Sequence, residues 1–511
     1  MKRFLFLLVF GFYLLVSVAV AFALPVGKER AAKVAQHAVV RFNAELHGIT
    51  PGAPVELTDV SQELGFNLIH LFNYHYAGVV GFVIVSGDDC TDPILAFSDF
   101  GELNLGEQGE GSGMEAKTNS AFLQHLHHYC AGIGAARESK ATAPAHVAAK
   151  WQKLEQEQVL PKGDIYHDNI HMLLGGMTWG QSSPYNAKCP GRCVTGCVAT
   201  AFGMIMNYWN YPEHGFGTHS YNGADNPAAY PDWSYGTLSA DFEQTYYDWD
   251  HTPDWVNINS DTNEINAVAT LLYQIGVSLD MNYGVNGSGC WSLPEYAIFD
   301  TSLHLSPDMG ADTRIPKHFG YRYDYAGMRD SIGDDTLWMQ MLYQSLVERK
   351  PIYYAGWKKD NSPAGHSATS GHGYVIDGYF SDEVDSNYFW INWGWNGTAN
   401  GYFKLDAMKP QGSDFTQWHG AIIGLEPDTS YHGYNYLGVA ETRLPEVSVS
   451  GIEGALVVRG AEASHVAVYD VMGRCVAENN RVATDRWQVS LPRGLYLVRV
   501  DTVPAQKAMV Y

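Results

Sequence analysis

A cysteine at the start of a predicted helix is the first residue of this sequence that could carry covalent chemistry. Cys197 follows Gly196. Apolar residues recur after it with the spacing of one helix face, at Val198, Phe202, Ile205 and Trp209. The free N–H groups and the positive dipole end of a helix N-terminus lower the pKa of a thiol and can hold an oxyanion. Cys197 is therefore a candidate nucleophile, and a buried structural cysteine under a glycine-containing turn is the alternative.

A thiol nucleophile needs a base that can also protonate a leaving group, and imidazole matches that task at neutral pH. Among the 20 histidines, His372 stands between Gly371 and Gly373 and precedes the strand-like run Tyr374–Ile376. The glycines leave room for a substrate, and a buried strand would fix the position of the ring. His366 is the rival base, but its neighbours are typical of a flexible loop. The sequence favours His372.

The base needs a third group that holds its tautomer. Asn392 follows His372 by 20 residues in a second strand-like run, which could lie antiparallel to the first and bring the amide beside the imidazole. Trp393 could shield the pair from water. Trp395 is interpreted as core filling.

An oxyanion site usually includes a side-chain donor as well. Gln181 lies in a predicted loop 16 residues before Cys197 and is the candidate for that role. A single glutamine in a loop does not by itself indicate a function. The order Gln, Cys, His, Asn along one block of the chain is what gives the four residues a shared interpretation.

The elements that must position these residues fall into a middle block, 163–427, which is dense in Trp, Tyr and Gly. Before it, residues 24–162 combine a predicted helix, Glu29–Leu46, with the strand-like runs Gly81–Gly87 and Ile94–Ser98, which indicates a small α+β unit. That unit ends in a polar stretch, Ala141–Lys162, interpreted as an exposed linker.

Short alternating segments follow the middle block and a turn-rich connector at 428–445. They predict a small β-sandwich over 446–511. The segments are Val447–Ser450, Ala455–Val458, Val466–Tyr469, Trp487–Leu491 and Leu495–Val500.

The N-terminus has the layout of a secretory signal peptide. Lys2 and Arg3 precede an apolar run, and Ala21-Phe22-Ala23 gives a cleavage motif, so residues 1–23 are predicted to be removed. An uncleaved membrane anchor is the alternative reading of this run. No later stretch of the sequence is apolar enough to cross a bilayer, and stable membrane insertion is not expected.

Composition narrows the class of protein. The chain has 511 residues, of which 46% are hydrophobic and 17% charged, as expected for a multi-domain globular protein. Its formal net charge of -23 repels phosphate backbones, so no nucleic-acid partner is expected. The seven cysteines are sparse and odd in number, which argues against a disulfide framework.

Motifs across the middle block resemble the streptopain family of cysteine peptidases. They are Gln181-x-x-Pro184-Tyr185-Asn186, Gly196–Ala201, Met206-Asn-Tyr208-x-x-Tyr211-Pro212, Gly371-His372-x-x-Val375-Ile376-Asp377-Gly378 and Asn392–Trp395. The resemblance implies a papain-like α+β fold, in which a helical part carries the cysteine and an antiparallel sheet carries the histidine and asparagine. It also implies peptide-bond hydrolysis in protein substrates through an acyl-enzyme, without a metal or cofactor, and a preference for a hydrophobic residue two positions before the scissile bond.

The same resemblance assigns roles to individual residues: Cys197 as nucleophile, His372 as base, Asn392 with Trp393 as orienting pair, and Gln181 as oxyanion donor. Two stretches, Lys358–Ser370 and Cys290–Asp324, depart from the family pattern, and substrate specificity is expected to differ with them.

The flanking units resemble known modules too. Residues Gly81–Asp88 and Pro93–Ser98 are similar to the streptopain-type inhibitory propeptide, which implies a zymogen inhibited by its own N-terminal unit. Residues Val468–Arg474 and Gly494–Leu497 resemble the C-terminal sorting domain of type IX secretion. The second resemblance implies a bacterial protein that is secreted or attached to the cell surface, with the type IX machinery as a partner.

Two other classes of function compete with this interpretation. A metalloenzyme is suggested by Cys189, Cys193 and Cys197 at every fourth residue and by His167 and His171, but Pro190-Gly191 breaks any helix there and the histidines lack the glutamate of a zincin helix. A secreted adhesin or protease inhibitor would explain the flanking units but not the Gln-Cys-His-Asn order. The group His125, His127 and His128 is interpreted as a solvated helix face.

Overall fold

The computed structural model describes most of the chain from Leu24 onward. The described ranges are 24–103, 120–139, 142–156, 169–223, 235–285, 287–293, 310–357, 371–381, 387–405, 419–431, 448–452, 454–459, 465–470, 474–481, 486–500 and 503–510. The predicted signal peptide, His167 and His366 lie outside these ranges. Within them, no helix combines the length and the apolar composition needed to cross a membrane.

The described residues form both helices and strands. The helices are α1 (Lys28–His47), α2 (Ser120–Glu138), α3 (Ala145–Glu155), α4 (Cys197–Trp209), α5 (Thr262–Ser278), α6 (Ala311–Phe319), α7 (Arg329–Ile332) and α8 (Asp335–Val347). The strands are β1 (Glu56–Asp59), β2 (Ile69–Tyr76), β3 (Val79–Ser86), β4 (Ile94–Ser98), β5 (Thr218–Asn222), β6 (Thr237–Asp241), β7 (Tyr321–Arg322), β8 (Tyr325–Met328), β9 (Ile352–Trp357), β10 (Gly371–Ser381), β11 (Asn387–Asn392), β12 (Gly401–Phe403), β13 (His419–Ile423), β14 (Glu426–Pro427), β15 (Ser448–Ile452), β16 (Ala455–Arg459), β17 (Val466–Tyr469), β18 (Cys475–Asn479), β19 (Arg486–Ser490), β20 (Gly494–Val500) and β21 (Val503–Val510).

One antiparallel sheet runs through both the N-terminal unit and the middle block. Its strand order is β1-β2-β3-β4-β12-β11-β10-β9-β13-β8. The two units meet where β4 pairs with β12, with Phe97 opposite Tyr402 and Ala96 opposite Phe403. The N-terminal unit is therefore joined to the middle block by main-chain hydrogen bonds as well as by side chains.

The N-terminal unit contains the elements that its sequence predicts, since α1, β3 and β4 fall on the predicted helix and strands. The predicted linker is wrong in part, because α3 occupies much of it. Trp151 and Lys150 of this helix are buried, and the Trp151 indole donates to the Thr91 carbonyl at 2.8 Å. The helix buries three side chains, Val147, Lys150 and Trp151, at helical spacing within a stretch of polar composition.

Helix α2 corrects the interpretation of the N-terminal histidines. His125 is only 4% exposed and His128 is partly buried, whereas His127 is exposed. Phe122 and Leu126, on the same side of the helix as His125, lie in a core shared with Trp393 and Phe403 of the middle block. The helix therefore packs against the protein on its histidine-bearing side.

In the middle block, α4 packs against β9 and β10 and its apolar face lies in a core with Tyr353 and Val375. Tyr354, Tyr374 and Trp393 lie in a different core, the one that contains residues of α2. Because side chains alternate between the two faces of a strand, the Cys197 helix and α2 lie on opposite faces of the sheet.

The C-terminal unit is the small β-sandwich that the sequence predicts. Its two sheets have the orders β15-β16-β19 and β18-β17-β20-β21, and they enclose a core that includes Val458, Val468 and Val498. The sequence analysis missed β18 and β21. Both are edge strands, which bury less apolar surface than central strands and carry a weaker alternating pattern.

Candidate active site

The helix predicted at Cys197 is present, and Cys197 is its first residue. Gly196 precedes it with φ of 89°, a conformation that favours glycine, and an added Cβ would lie 2.7 Å from the Met281 side chain. The Thr200 hydroxyl donates to the Gly196 carbonyl at 3.1 Å. The glycine thus permits the sharp entry that leaves Cys197 at the helix N-terminus.

Gln181 lies beside this turn. Its backbone carbonyl accepts a hydrogen bond from the Thr195 N–H at 3.1 Å. The Gln181 side chain is 4% exposed, and its buried Nε2 has no hydrogen-bond partner among the described residues. A buried amide donor without a partner is energetically unfavourable, which makes it available to an acceptor that binds in the site.

The Cys197 thiol is close to the strand that carries His372. The Gly373 N–H donates to Cys197 Sγ at 3.4 Å. Burial raises the pKa of Cys197, while the N–H groups of Gly373, Val198 and Cys197 itself act in the opposite direction without overcoming it. The helix N-terminus was expected to favour the thiolate, but in this structure desolvation outweighs it and the sulfur is a neutral thiol at neutral pH.

His372 lies near the start of β10 and is 6% exposed. Its Nε2 is 2.9 Å from the Trp393 carbonyl oxygen, to which it can donate. Burial lowers the pKa of His372 to about 4, and the hydrogen bond to Trp393 offsets only part of that effect. No hydrogen bond between His372 and Cys197 is present among the described residues, so the thiol and the imidazole are neighbours that do not yet form a pair.

Asn392 lies on β11, antiparallel to β10 as the sequence predicts, and is opposite Val375. Its Nδ2 donates to the Met177 carbonyl at 2.7 Å, and its Oδ1 accepts from the Gly394 N–H at 3.2 Å. The amide is therefore not bonded to the imidazole. The Asn392 amide instead holds the backbone next to Trp393, and the Trp393 carbonyl contacts the His372 ring.

Trp393 is 1% exposed, and its indole donates to the Ala399 carbonyl at 2.9 Å. Its ring lies 6.4 Å from that of His372. The closer aromatic neighbour is Trp395, whose ring stacks on the imidazole at 4.9 Å and 10°. Interpreting Trp395 as core filling missed this contact. The available signal was Gly394, whose φ of 70° turns the chain between the two tryptophans.

Replacing Trp395 with alanine is expected to raise the pKa of His372 from about 4 towards its ordinary value of 6.5. The indole covers the imidazole, and water that enters in its place would stabilise the charged form. The measurement is an NMR titration of His372 in the full-length Cys197→Ala chain. Trp395→Phe, which retains a stacking ring, is the matched control and should give a smaller rise. An unchanged pKa in Trp395→Ala would show that the indole does not desolvate the ring.

The cysteines that the sequence offered as alternative metal ligands lie within the described residues. Cys193 Sγ lies 2.8 Å from the Tyr235 hydroxyl, and all seven cysteines are outside disulfides. Among the described residues, no group of three or more His, Cys, Asp and Glu side chains is arranged to hold a metal ion.

Family models match three parts of the chain. Residues 179–403 match the Peptidase C10 family, residues 23–121 match the Spi protease inhibitor, and residues 439–510 match a domain of unknown function, DUF6383. The first match contains all the site residues described above. The second covers much of the N-terminal unit that extends the sheet.

Curated proteins and a solved structure are similar to much of the chain. Streptopain of Streptococcus pyogenes is 24% identical over 77% of this chain and 91% of its own length. The thiol protease/hemagglutinin PrtT of Porphyromonas gingivalis is 25% identical over 79% of this chain and 42% of its own. The structure of a prointerpain A fragment from Prevotella intermedia aligns with a TM-score of 0.50 and 27% identity, over 73% of this chain and 98% of that one.

Fold, site and matches together define a papain-like cysteine peptidase that carries an inhibitor-like propeptide and is therefore made as a zymogen. Its middle block contains a domain of the Peptidase C10 (streptopain) family, matched over residues 179–403. A purely adhesive or purely inhibitory protein, the alternative that the sequence left open, is set aside by the match across the middle block. Protein substrates and an intramolecular propeptide follow from the peptidase and inhibitor matches.

Proposed function

We propose that the chain is the zymogen of a secreted cysteine endopeptidase in which Cys197 is the nucleophile and His372 the base. The observation that carries the proposal is that Cys197 lies at a helix N-terminus, where its Sγ accepts from the N–H of Gly373, the residue next to His372. Gln181, whose buried Nε2 has no partner among the described residues, is bonded through its backbone carbonyl to the turn before this helix. These groups suit a reaction in which sulfur attacks a carbonyl and negative charge develops on its oxygen.

The proposed reaction proceeds in two halves. His372 takes the Cys197 proton as sulfur adds to the peptide carbonyl, and then donates that proton to the departing amine as the C–N bond breaks. Water, deprotonated by the same imidazole, next adds to the thioester, and the C–S bond breaks to release the acid and restore the thiol. In both halves the oxyanion is stabilised by the N–H groups at the start of α4 and by Gln181 Nε2.

Three features of the full-length chain support a latent state. The imidazole is bonded to the Trp393 carbonyl rather than to sulfur. Phe122 and His125 of α2 pack edge-on against the Trp393 indole, at ring distances of 6.3 and 5.8 Å. Thiol and imidazole are both neutral at pH 7. We infer that release of α2 lets the Trp393 segment shift and the imidazole turn towards Cys197.

Gln181→Ala is expected to lower kcat of the mature enzyme by roughly ten- to a thousandfold, the range for removing one oxyanion donor, with KM little changed. The Gln181 amide is already buried and has no partner among the described residues. It therefore stabilises the reacting group chiefly when negative charge develops on the carbonyl oxygen. Steady-state kinetics on a peptide substrate measure both constants. Gln344→Ala, on α8 where the amide pairs with Glu348, is the matched control and should be neutral. A change confined to KM would make Gln181 a substrate-binding residue.

We further propose the domain limits 1–23 for a signal peptide, 24–162 for the propeptide, 163–427 for the peptidase, 428–445 for a linker and 446–511 for a sorting domain. The β-sandwich supports the last assignment, which implies export by type IX machinery and an extracellular or cell-surface location. A hydrophobic P2 preference remains part of the proposal. Peptide-library profiling tests that preference, and N-terminal sequencing of secreted protein tests the two cleavage sites.

A further inference from the structure

Four histidines lie near the contact between the propeptide and the peptidase. His125 and His128 belong to α2 of the propeptide, and His372 and His419 belong to β10 and β13 of the peptidase, the two strands that flank β9. In the sheet, both His372 and His419 pair with Gly356 of β9, from opposite sides. The His419 imidazole leans over Gly356, where an added Cβ would lie 3.5 Å from two of its ring atoms.

The propeptide histidines lie beside these peptidase residues. The His128 ring lies 6.1 Å from that of His419. His125 Nε2 is 3.1 Å from the Tyr129 hydroxyl, which in turn donates to the Lys404 carbonyl at 2.9 Å. The contact is therefore lined by imidazoles from both units and closed by a buried hydrogen-bond chain.

We propose that the contact between α2 and the peptidase is a pH-sensitive latch that opens on mild acidification, through protonation of His125 and His128 beside His419. This proposal rests on the propeptide acting as the intramolecular inhibitor. Protonation would place two positive charges in an aromatic core next to a third imidazole, and those charges are relieved when α2 moves into water.

Among the described residues packed against the cluster, no carboxylate pairs with His125, His128 or His419. On the α2 side the neighbours are His127 and Tyr129. On the peptidase side they are Tyr354, whose hydroxyl is 3.0 Å from His419 Nδ1, and Arg329, whose guanidinium is paired with Asp335. Arg329 is a cation that lowers the pKa of His419 further, so the local field also disfavours imidazolium.

The sign of the effect follows from the direction of the pKa shifts. Burial lowers the pKa of His125 to about 3 and of His128 to about 4, and lowers that of His419 well below 6.5. The closed state is therefore fully stable above pH 6.5 and loses stability as the pH falls from 6.5 towards 4, where an opened state would bind more protons. Each histidine can increase the opening equilibrium of α2 by up to about tenfold per pH unit in that window, and the partly exposed His128 contributes less.

The ion pair between Asp92 and Lys404, which also joins the two units, does not titrate in this window. Asp92 of the propeptide pairs with Lys404 and Lys150, and the two ammonium groups hold its pKa at about 2 against the effect of burial. A loss of contact between pH 6.5 and 4 would thus report on the histidines rather than on this carboxylate.

The test is hydrogen–deuterium exchange of residues 120–138 in the full-length Cys197→Ala chain at pH 7.0 and 5.0, corrected for intrinsic exchange. We expect the opening equilibrium of α2 to increase at least tenfold at pH 5.0. The double variant His125→Gln/His128→Gln should lose most of that increase, whereas His127→Gln, an exposed histidine on the same helix, should retain it. Each variant is compared with itself at two pH values, so a constant loss of stability cancels.

An opening equilibrium that is equal at both pH values in the parent chain would overturn the latch, and so would an unchanged pH response in the double variant. Neither result bears on catalysis, because the chain used is inert. Inhibition by the propeptide is tested separately: a precursor with Cys197 intact that hydrolyses peptides at pH 7.0 before any cleavage would refute the proposed latency itself.

Discussion

Cys197→Ala and His372→Ala are each expected to remove nearly all peptidase activity from the mature enzyme, by about 10⁴- to 10⁶-fold in kcat. Either change dismantles the same reacting unit, because the thiol supplies the nucleophile and the imidazole carries its proton. The double variant should therefore be no slower than the single ones. Activity is measured on a peptide substrate with mature protein, and thermal unfolding checks that each variant folds.

The control for this prediction is the rival histidine. His366→Ala should lose little activity, although it lies six residues from His372 in the sequence. A loss equal to that of His372→Ala would mean that His366 is the base. Full activity in either principal variant would remove the assignment of Cys197 and His372 altogether.

Local sequence patterns predicted the elements of the site well. The 3.6-residue spacing after Gly196 gives α4, and the glycine with positive φ gives the sharp turn before it. The strand-like runs around His372 and Asn392 do pair as β10 and β11. These features are encoded within a few residues of each other, so periodicity and turn chemistry suffice to find them.

The contacts of the imidazole could not be predicted in the same way. Which carbonyl it meets depends on the Asn392 amide being taken up by Met177, a residue more than 200 positions away, and on the turn at Gly394. The burial of His125 depends likewise on a peptidase surface that the propeptide sequence does not contain. Desolvation at Cys197 is also a tertiary effect, and it reversed the pKa direction expected from the helix N-terminus alone.

Asp92 connects the propeptide to the peptidase through a buried ionic contact. The carboxylate lies 2.8 Å from Lys150 Nζ of α3 and also pairs with Lys404, which follows β12. The Lys404 side chain is 1% exposed and that of Lys150 is 5% exposed. Removing one partner of a buried pair is far more damaging than removing the whole pair, because it leaves an uncompensated charge.

Asp92→Asn is therefore expected to loosen the propeptide and to expose the chain beyond α3 to cleavage. Breaking a buried pair costs about 3–5 kcal/mol. Part of that free energy destabilises the docked propeptide relative to the released one, so maturation should accelerate at least tenfold. The measurement is the rate at which the full-length Cys197→Ala chain is cleaved after a trace of active enzyme is added. Without that enzyme the chain should stay uncleaved. Asp59→Asn is the matched control, since Asp59 pairs within the propeptide with Lys28, whose side chain is 68% exposed.

Two outcomes would each contradict a different part of this prediction. Equal maturation rates for Asp92→Asn and Asp59→Asn would show that the Asp92–Lys404 contact does not hold the propeptide in place. Maturation of the Cys197→Ala chain with no other protease present would rule out cleavage by the enzyme itself. Because Asp92 stays ionised at mildly acidic pH, the substitution should raise the rate at pH 7.0 and at pH 5.0 alike, whereas the histidine latch should act only at the lower pH.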